Sequence, residues 1–183
     1  NKEDLTWQQD RCIFFTTRSG TVKKTALRDF ANVRRGGIIA IKIVPGDTLI
    51  EARFTTGHDD VILVTADGQS IRFHEGGVRT MGRSAAGVRG IRLGKDDHVV
   101  ALSIVSADAT LLVAGENGIG KRTVFDDYRV QSRGGKGIKT MKITKKTGKV
   151  IGGLTVHEGD EIMLITVGGQ MVRTAVDGIR QAG

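Results

Sequence analysis

The chain has 183 residues, and its lysines and arginines exceed its aspartates and glutamates by 28 to 20, so at a net charge of +8 an anionic polymer is a natural partner. It contains no apolar run long enough for a bilayer and no signal-peptide pattern, which predicts a soluble protein with no membrane partner. A single cysteine, Cys12, excludes an internal disulfide and favours a reducing, cytoplasmic compartment.

In chain order, the first predicted element is the apolar strand Ile13-Phe14-Phe15, which runs into a turn at Gly20 and returns through a strand carrying Lys24. A polar loop of about ten residues leads to Ile41-Lys42-Ile43, where apolar and basic residues alternate at the period of a half-buried strand. Leu49-Ile50 is a fourth strand. The order then repeats. Val61 to Val64, Gly68, Arg72, Ile91-Arg92-Leu93 and Val99 to Leu102 form a second copy, and Leu111 to Val113, Gly118, Arg122, Met141-Lys142-Ile143 and Val150-Ile151 a third. Ile162 to Ile165, Gly169 and Arg173 open a fourth. Gly37, Gly87 and Gly137 stand 50 residues apart, a period that marks stacked or radial supersecondary units. The turns read Ser-Gly, Asp-Gly, Asn-Gly and Gly-Gly, which predicts a type I′ or similar tight turn in each hairpin.

Four short strands per unit of about 50 residues are blade-like. Aromatic residues make up 4% of the chain against 26 glycines, and no segment keeps an apolar face at helical spacing for three turns. The expectation is an all-β repeat of about four blades, the last partial, at residues 1–58, 59–108, 109–158 and 159–183. The absence of an initiator methionine and the stop soon after the fourth hairpin predict an excised piece of a longer protein.

The basic residues follow the period. The loop between the second and third strands carries Arg34 and Arg35 in the first copy, Arg79 and Arg83 in the second, and Arg129 and Arg133 in the third. Between Arg129 and Lys149 there are eight basic residues and no acidic one, Lys136 and Lys139 among them. If the units are radial, these loops lie side by side, and a row of arginines along one rim suits a phosphate backbone. Solvated loop charges serving solubility are the alternative for any one of them.

In that loop of the third copy stands Gln131-Ser132-Arg133-Gly134-Gly135-Lys136-Gly137. It resembles the signature box Gln-Arg-Arg-Gly-Gly-Lys-Gly of the C-terminal domain of bacterial DNA gyrase A, matching six of seven positions. The likeness extends to Gly20-Thr21-Val22-Lys23-Lys24-Thr25, to Gly87 through Gly94, and to Gly120-Lys121-Arg122-Thr123. The resemblance implies a β-pinwheel, in which propeller-like blades exchange strands with their neighbours and double-stranded DNA wraps around a basic perimeter. It implies a module of a type II topoisomerase that supports negative supercoiling alongside gyrase B and the N-terminal part of gyrase A, with no catalytic site or cofactor in this chain. Ser132 stands where the family box has arginine, and the box lies in the third unit present where the family places it in the first blade. These units therefore resemble the later blades of a six-bladed domain. In a phosphate loop, Gly134, Gly135 and Gly137 would let backbone N–H groups approach while Arg133 and Lys136 supply charge.

The remaining motifs point elsewhere than catalysis. Gly115 to Lys121 has P-loop spacing, but Arg122 replaces the magnesium-binding hydroxyl and a strand follows where a helix is needed. Tyr128, the one tyrosine, shares its register with Phe30, Val78 and Ile179, which marks it for packing. His58, His74, His98 and His157 lack paired ligand spacing, so no metal site is expected. Two other readings stand beside the first: the homologous C-terminal domain of topoisomerase IV, and a propeller scaffold that binds protein, with an apolar or mixed-charge face in place of a one-signed rim.

Overall fold

The computed structural model describes residues 11–183; the first ten residues of the expected first blade lie outside the described residues. Thirteen strands and four single-turn 3-10 segments make up the regular structure described. The hairpins are β1 (Cys12–Thr17) with β2 (Thr21–Ala26), β4 (Asp60–Thr65) with β5 (Gln69–His74), β8 (Ala109–Gly115) with β9 (Gly120–Val124), and β12 (Glu161–Ile165) with β13 (Met171–Ala175). In the first three units a long strand, β3 (Leu49–Thr55), β7 (Val99–Ile104) or β11 (Val150–His157), pairs antiparallel with the first strand of its own hairpin.

The hairpin turns differ from the expected type. A type I′ turn needs positive φ at both central residues, yet only the glycine is positive in each: Gly20 at 83°, Gly68 at 76°, Gly118 at 76° and Gly169 at 82°. Its N–H donates to the carbonyl three residues back, Thr17, Thr65, Gly115 or Thr166, at 2.9–3.0 Å. Glycine thus takes the left-handed position that ends a three-residue loop, and the two residues before it keep ordinary φ.

The third strand also lies elsewhere than expected. Ile41, Ile91 and Met141 are buried and their basic neighbours exposed, but these triplets form no ladder. The strand is instead a two-residue piece three positions earlier, β6 (Val88–Arg89) in the second unit and β10 (Ile138–Lys139) in the third. It pairs with the preceding unit: β6 with β2 through Val22↔Val88 and Thr21↔Arg89, and β10 with β5 through Ser70↔Ile138 and Gln69↔Lys139. This strand exchange gives sheets ordered β3-β1-β2-β6 and β10-β5-β4-β7, followed by β11-β8-β9 and β12-β13. It is the pinwheel form of a propeller. Residues just beyond the exchanged strand fasten it again, since Gly90 N–H donates to Gly20 O and Thr140 N–H to Gly68 O, both at 2.8 Å.

The core lies between sheets. Alternate side chains of β4 point to opposite faces, so Val61 and Leu63 join Phe14, Val22, Ile71, Phe73 and Ile91 toward the first unit, while Ile62 and Val64 join Leu111, Val113, Phe125, Tyr128 and Met141 toward the third. Burial on both faces explains why Val61 to Val64 is an unbroken apolar run. Tyr128 and Val78 occupy equivalent buried positions, which makes the tyrosine a packing residue. No helix among the described residues is long and apolar enough to cross a membrane.

Candidate nucleic-acid interface

Exchange of the third strand draws the loops between second and third strands into one row. Lys42 N–H donates to Ala85 O at 3.2 Å, and the equivalent Arg92 N–H donates to Gly135 O at 2.7 Å. The loop of each unit is thereby hydrogen-bonded to the loop of the next, so Arg34 and Arg35, Arg79 and Arg83, and Arg129 and Arg133 lie on three consecutive loops of one rim. Arg34, Arg35, Arg79, Arg129, Lys136 and Lys139 are exposed, and Arg83 and Arg133 are half-buried.

The half-buried pair is committed to the protein itself. Arg133 donates from Nε to Gly77 O at 2.8 Å and from Nη1 to Arg89 O at 3.1 Å, and Arg83 donates from Nη1 to the equivalent carbonyl, Ile39 O, at 3.3 Å. In the second and third units the second arginine of the pair therefore fastens its loop to the preceding unit and turns only part of its guanidinium outward. The box-like loop is fastened further by Gly134 N–H, which donates to Gly90 O at 2.5 Å. Ser132 and Lys136 are exposed in that loop, while Gln131 is half-buried and its N–H donates to Arg72 O at 2.8 Å.

Further basic residues join the rim beyond the expected contacts. Lys42, Arg92 and Lys142 are exposed at equivalent positions 50 residues apart, and Arg89 is exposed on β6. Lys42, Arg89 and Arg92 line a groove of about 690 Å³ between the first two units, together with Asp47 and Ser19 at its hairpin end. The period-50 basic position inside each apolar triplet was the sequence signal for three of them.

Several carboxylates have structural partners. Asp47 Oδ1 accepts from Ser19 N–H at 2.9 Å and Asp97 Oδ1 from Asp67 N–H at 2.9 Å, so each ties a hairpin turn to the strand that follows the rim loop. Asp59 accepts from Thr56 N–H, and Asp60 is paired with Arg72. Glu75 is fully buried and accepts from Thr55 Oγ1 at 2.9 Å and from Gly57 and Asp59 N–H at 2.8 and 2.9 Å, with Lys24 Nζ at 3.5 Å. The P-loop-like segment Gly115 to Lys121 is the turn between β8 and β9.

Comparison with known proteins agrees with this architecture. The family described as DNA gyrase C-terminal domain, beta-propeller, matches residues 13–56, 59–106, 109–157 and 160–183. The chain belongs to this family. DNA gyrase A of Salmonella typhimurium and that of Escherichia coli are each 46% identical to it over 171 residues, covering 93% of this chain. That of Mycolicibacterium smegmatis is 44% identical over 173 residues, also covering 93% of this chain. The chain spans about 20% of the length of these curated relatives. A solved DNA gyrase A C-terminal domain superposes with a TM-score of 0.87 at 29% identity, over 97% of this chain and 59% of that one. A C-terminal domain of DNA topoisomerase IV superposes with a TM-score of 0.90 at 26% identity, over 96% of this chain and 55% of that one. Backbone shape is thus shared across both enzymes, and the higher sequence identity lies with the gyrase A proteins.

Proposed function

We propose that this chain is a DNA-binding and DNA-wrapping module of a bacterial DNA gyrase, with duplex DNA following the row of rim loops. The observation that supports this most is the hydrogen-bonded succession of loops, which sets Arg34 and Arg35, Arg79, Arg129, Lys136 and Lys139 along one perimeter with their charges exposed. Lys42, Arg92 and Lys142 add to the same track. Arg83 and Arg133 act chiefly by fixing their loops, with the outward part of each guanidinium left to meet phosphate. Contacts of this kind neutralise backbone charge and read no base edges, so sequence preference arises only from the ease of bending. In the full enzyme the wrapped segment would be delivered to a cleavage core built by the N-terminal part of gyrase A, with ATP hydrolysed on gyrase B in the cytoplasm. No cofactor is assigned to this chain.

The test is a titration of mixed-sequence duplex binding against salt, repeated with Arg79→Ala and Arg129→Ala combined. The unmodified chain should show a linear fall of log affinity with log salt at a slope of about −0.9 per phosphate neutralised. The double variant should flatten that slope by about 1.8 for every duplex sequence alike. Relaxing a closed circular plasmid in the presence of the chain should trap a positive linking difference. Affinity and slope that stay put in the variant would remove the rim assignment, and binding without a trapped linking difference would leave binding but not wrapping.

A further inference from the structure

Lys23 is fully buried on β2 and makes no salt bridge among the described residues. Its Nζ donates to Ala40 O at 2.7 Å and Arg83 O at 2.6 Å, and lies 5.8 Å from the centre of the Phe15 ring. Burying an ammonium with no carboxylate in ion-pair contact costs several kcal/mol by order of magnitude, so its retention calls for a return elsewhere in the structure. Burial, and then the nearby Arg83, push its pKa below the ordinary lysine value against the smaller opposing pull of Asp29.

The two carbonyls belong to the rim loops of adjacent units, and one unit on the junction is held differently. There Gly90 O, the equivalent of Ala40 O, accepts from the N–H of Gly134, and the residue equivalent to Lys23 is Ile71, packed beneath Gly135 and Gly137. Glycines at 134 and 135 let the incoming loop reach its neighbour directly. Ser84 and Ala85 stand in those places in the second unit, and the lysine spans the junction. In the third unit Lys121 stands at the position of Lys23, and its Nζ donates to Ala182 O at 3.4 Å and to Gly183 O at 3.1 Å, the counterparts of Met81 O and Gly82 O, so it too reaches the backbone of the incoming loop, though at other carbonyls.

We propose that Lys23 is a positioning residue for DNA binding: its buried ammonium locks the loop of the second unit onto that of the first and so sets where the Arg83 guanidinium meets the phosphate backbone. The proposal rests on the DNA-binding reading above. Lys23 itself, with no exposed surface, touches no phosphate. Its removal therefore changes the salt slope only by moving a residue that does.

The experiment compares the unmodified chain, Lys23→Met, Lys23→Arg, Arg83→Ala, Arg129→Ala and the combinations of Lys23→Met with each alanine variant, all read by duplex affinity against salt. Lys23→Met should weaken binding about fivefold to tenfold near 0.1 M salt and flatten the slope by about 0.9, the loss of one phosphate contact. Lys23→Arg, which keeps charge and donors, should restore most of both. In the Arg83→Ala background the methionine change should have no further effect, whereas with Arg129→Ala the two losses should add in log affinity. An unchanged slope in Lys23→Met, or an equal added loss in the Arg83→Ala background, would overturn the proposal, the latter by showing a field effect of the charge alone. If the methionine variant fails to fold, Lys23→Gln, which keeps one donor, carries the same cycle. Hydrogen exchange of the Ser84, Ala85 and Ala86 amides distinguishes the two levels of failure: faster exchange in Lys23→Met with no duplex binding by the unmodified chain would mean that the loop is locked but the DNA reading is wrong.

Discussion

Asp47 shows how much of the rim depends on single hydrogen bonds. Its carboxylate collects the Ser19 hydroxyl, the Ser19 N–H at 2.9 Å and the Thr48 N–H at 2.8 Å, and so fastens the first hairpin turn to the end of the rim loop. Burial alone would raise its pKa, but these donors and Thr17 outweigh burial and hold it below the ordinary aspartate value. A carboxylate depressed in the folded state binds fewer protons there than in the unfolded chain, so the stability it adds is complete above its unfolded pKa and disappears as pH falls through its folded one. Asp47→Asn should therefore cost about 1 kcal/mol at pH 7, the low end for a hydrogen-bonded charge because the turn is half exposed. The difference between variant and unmodified chain in urea midpoint should close as the pH is lowered below 4, the window set by that downward shift from about 3.9. A difference that does not shrink at all between pH 5 and pH 2.5 would mean that shape, and not charge, holds the turn.

At the scale of elements, the exchanged third strand is the least legible part of the fold in the sequence, and its physical character explains why. β6 and β10 are two residues long, so no alternation can announce them, and their partners lie in another unit. The apolar triplets beyond them alternate in burial because they cap the neighbouring core, without a ladder. By contrast, the hairpins and long fourth strands were legible from apolar runs bounded by turn glycines, which fixed the units and the loops that bear the arginines. The candidate site was legible as a period of basic residues. Which of them are committed to backbone carbonyls was not, since that depends on where Ile39 O, Gly77 O and Arg89 O come to lie, and the burial of Lys23 likewise depends on two loops that only the fold brings together. The exchange can be probed through glycine. Gly137 has φ +74°, and a Cβ there would collide with Ser70 O on β5. Gly37, the equivalent in the first unit, has φ +77° with open space around it. Gly137→Ala should cost about 3 kcal/mol or more by parting β10 from β5, whereas Gly37→Ala should cost about 1–2 kcal/mol of backbone strain alone. Urea unfolding of both variants measures the gap, and equal losses would show that the β10 pairing contributes little.

Across the whole molecule, units are held together by a residue type that recurs four positions after each hairpin glycine. Lys24 Nζ donates to Glu75 O at 3.0 Å. Arg72 donates from Nε to Asp60 at 2.9 Å and from Nη1 to Phe125 O at 2.9 Å and Tyr128 O at 3.4 Å. Arg122 donates from Nε to Ile179 O at 2.9 Å and pairs with Glu158. In each case the charge of one unit reaches the backbone of the next, beside a parallel bridge, Lys24↔Thr80, Arg72↔Val130 or Arg122↔Gln181. Arg173 is the fourth member, with its side chain 70% exposed and paired with Glu161 on its own hairpin. The same substitution at two members separates the joint between units from the local ion pair. Arg72→Met leaves Asp60 and two carbonyls between the second and third units without their donor, and should cost about 3 kcal/mol. Arg173→Met removes only an exposed ion pair and should change stability by less than about 1 kcal/mol. Because stability in a repeat chain is a sum of unit and interface terms, the Arg72 variant should also broaden the unfolding transition by letting the first two units separate from the rest. Chemical denaturation followed by fluorescence and by hydrogen exchange tests this. A single sharp transition in Arg72→Met, shifted no further than in Arg173→Met, would show that the apolar faces of β4 and β8 join the units without the arginine.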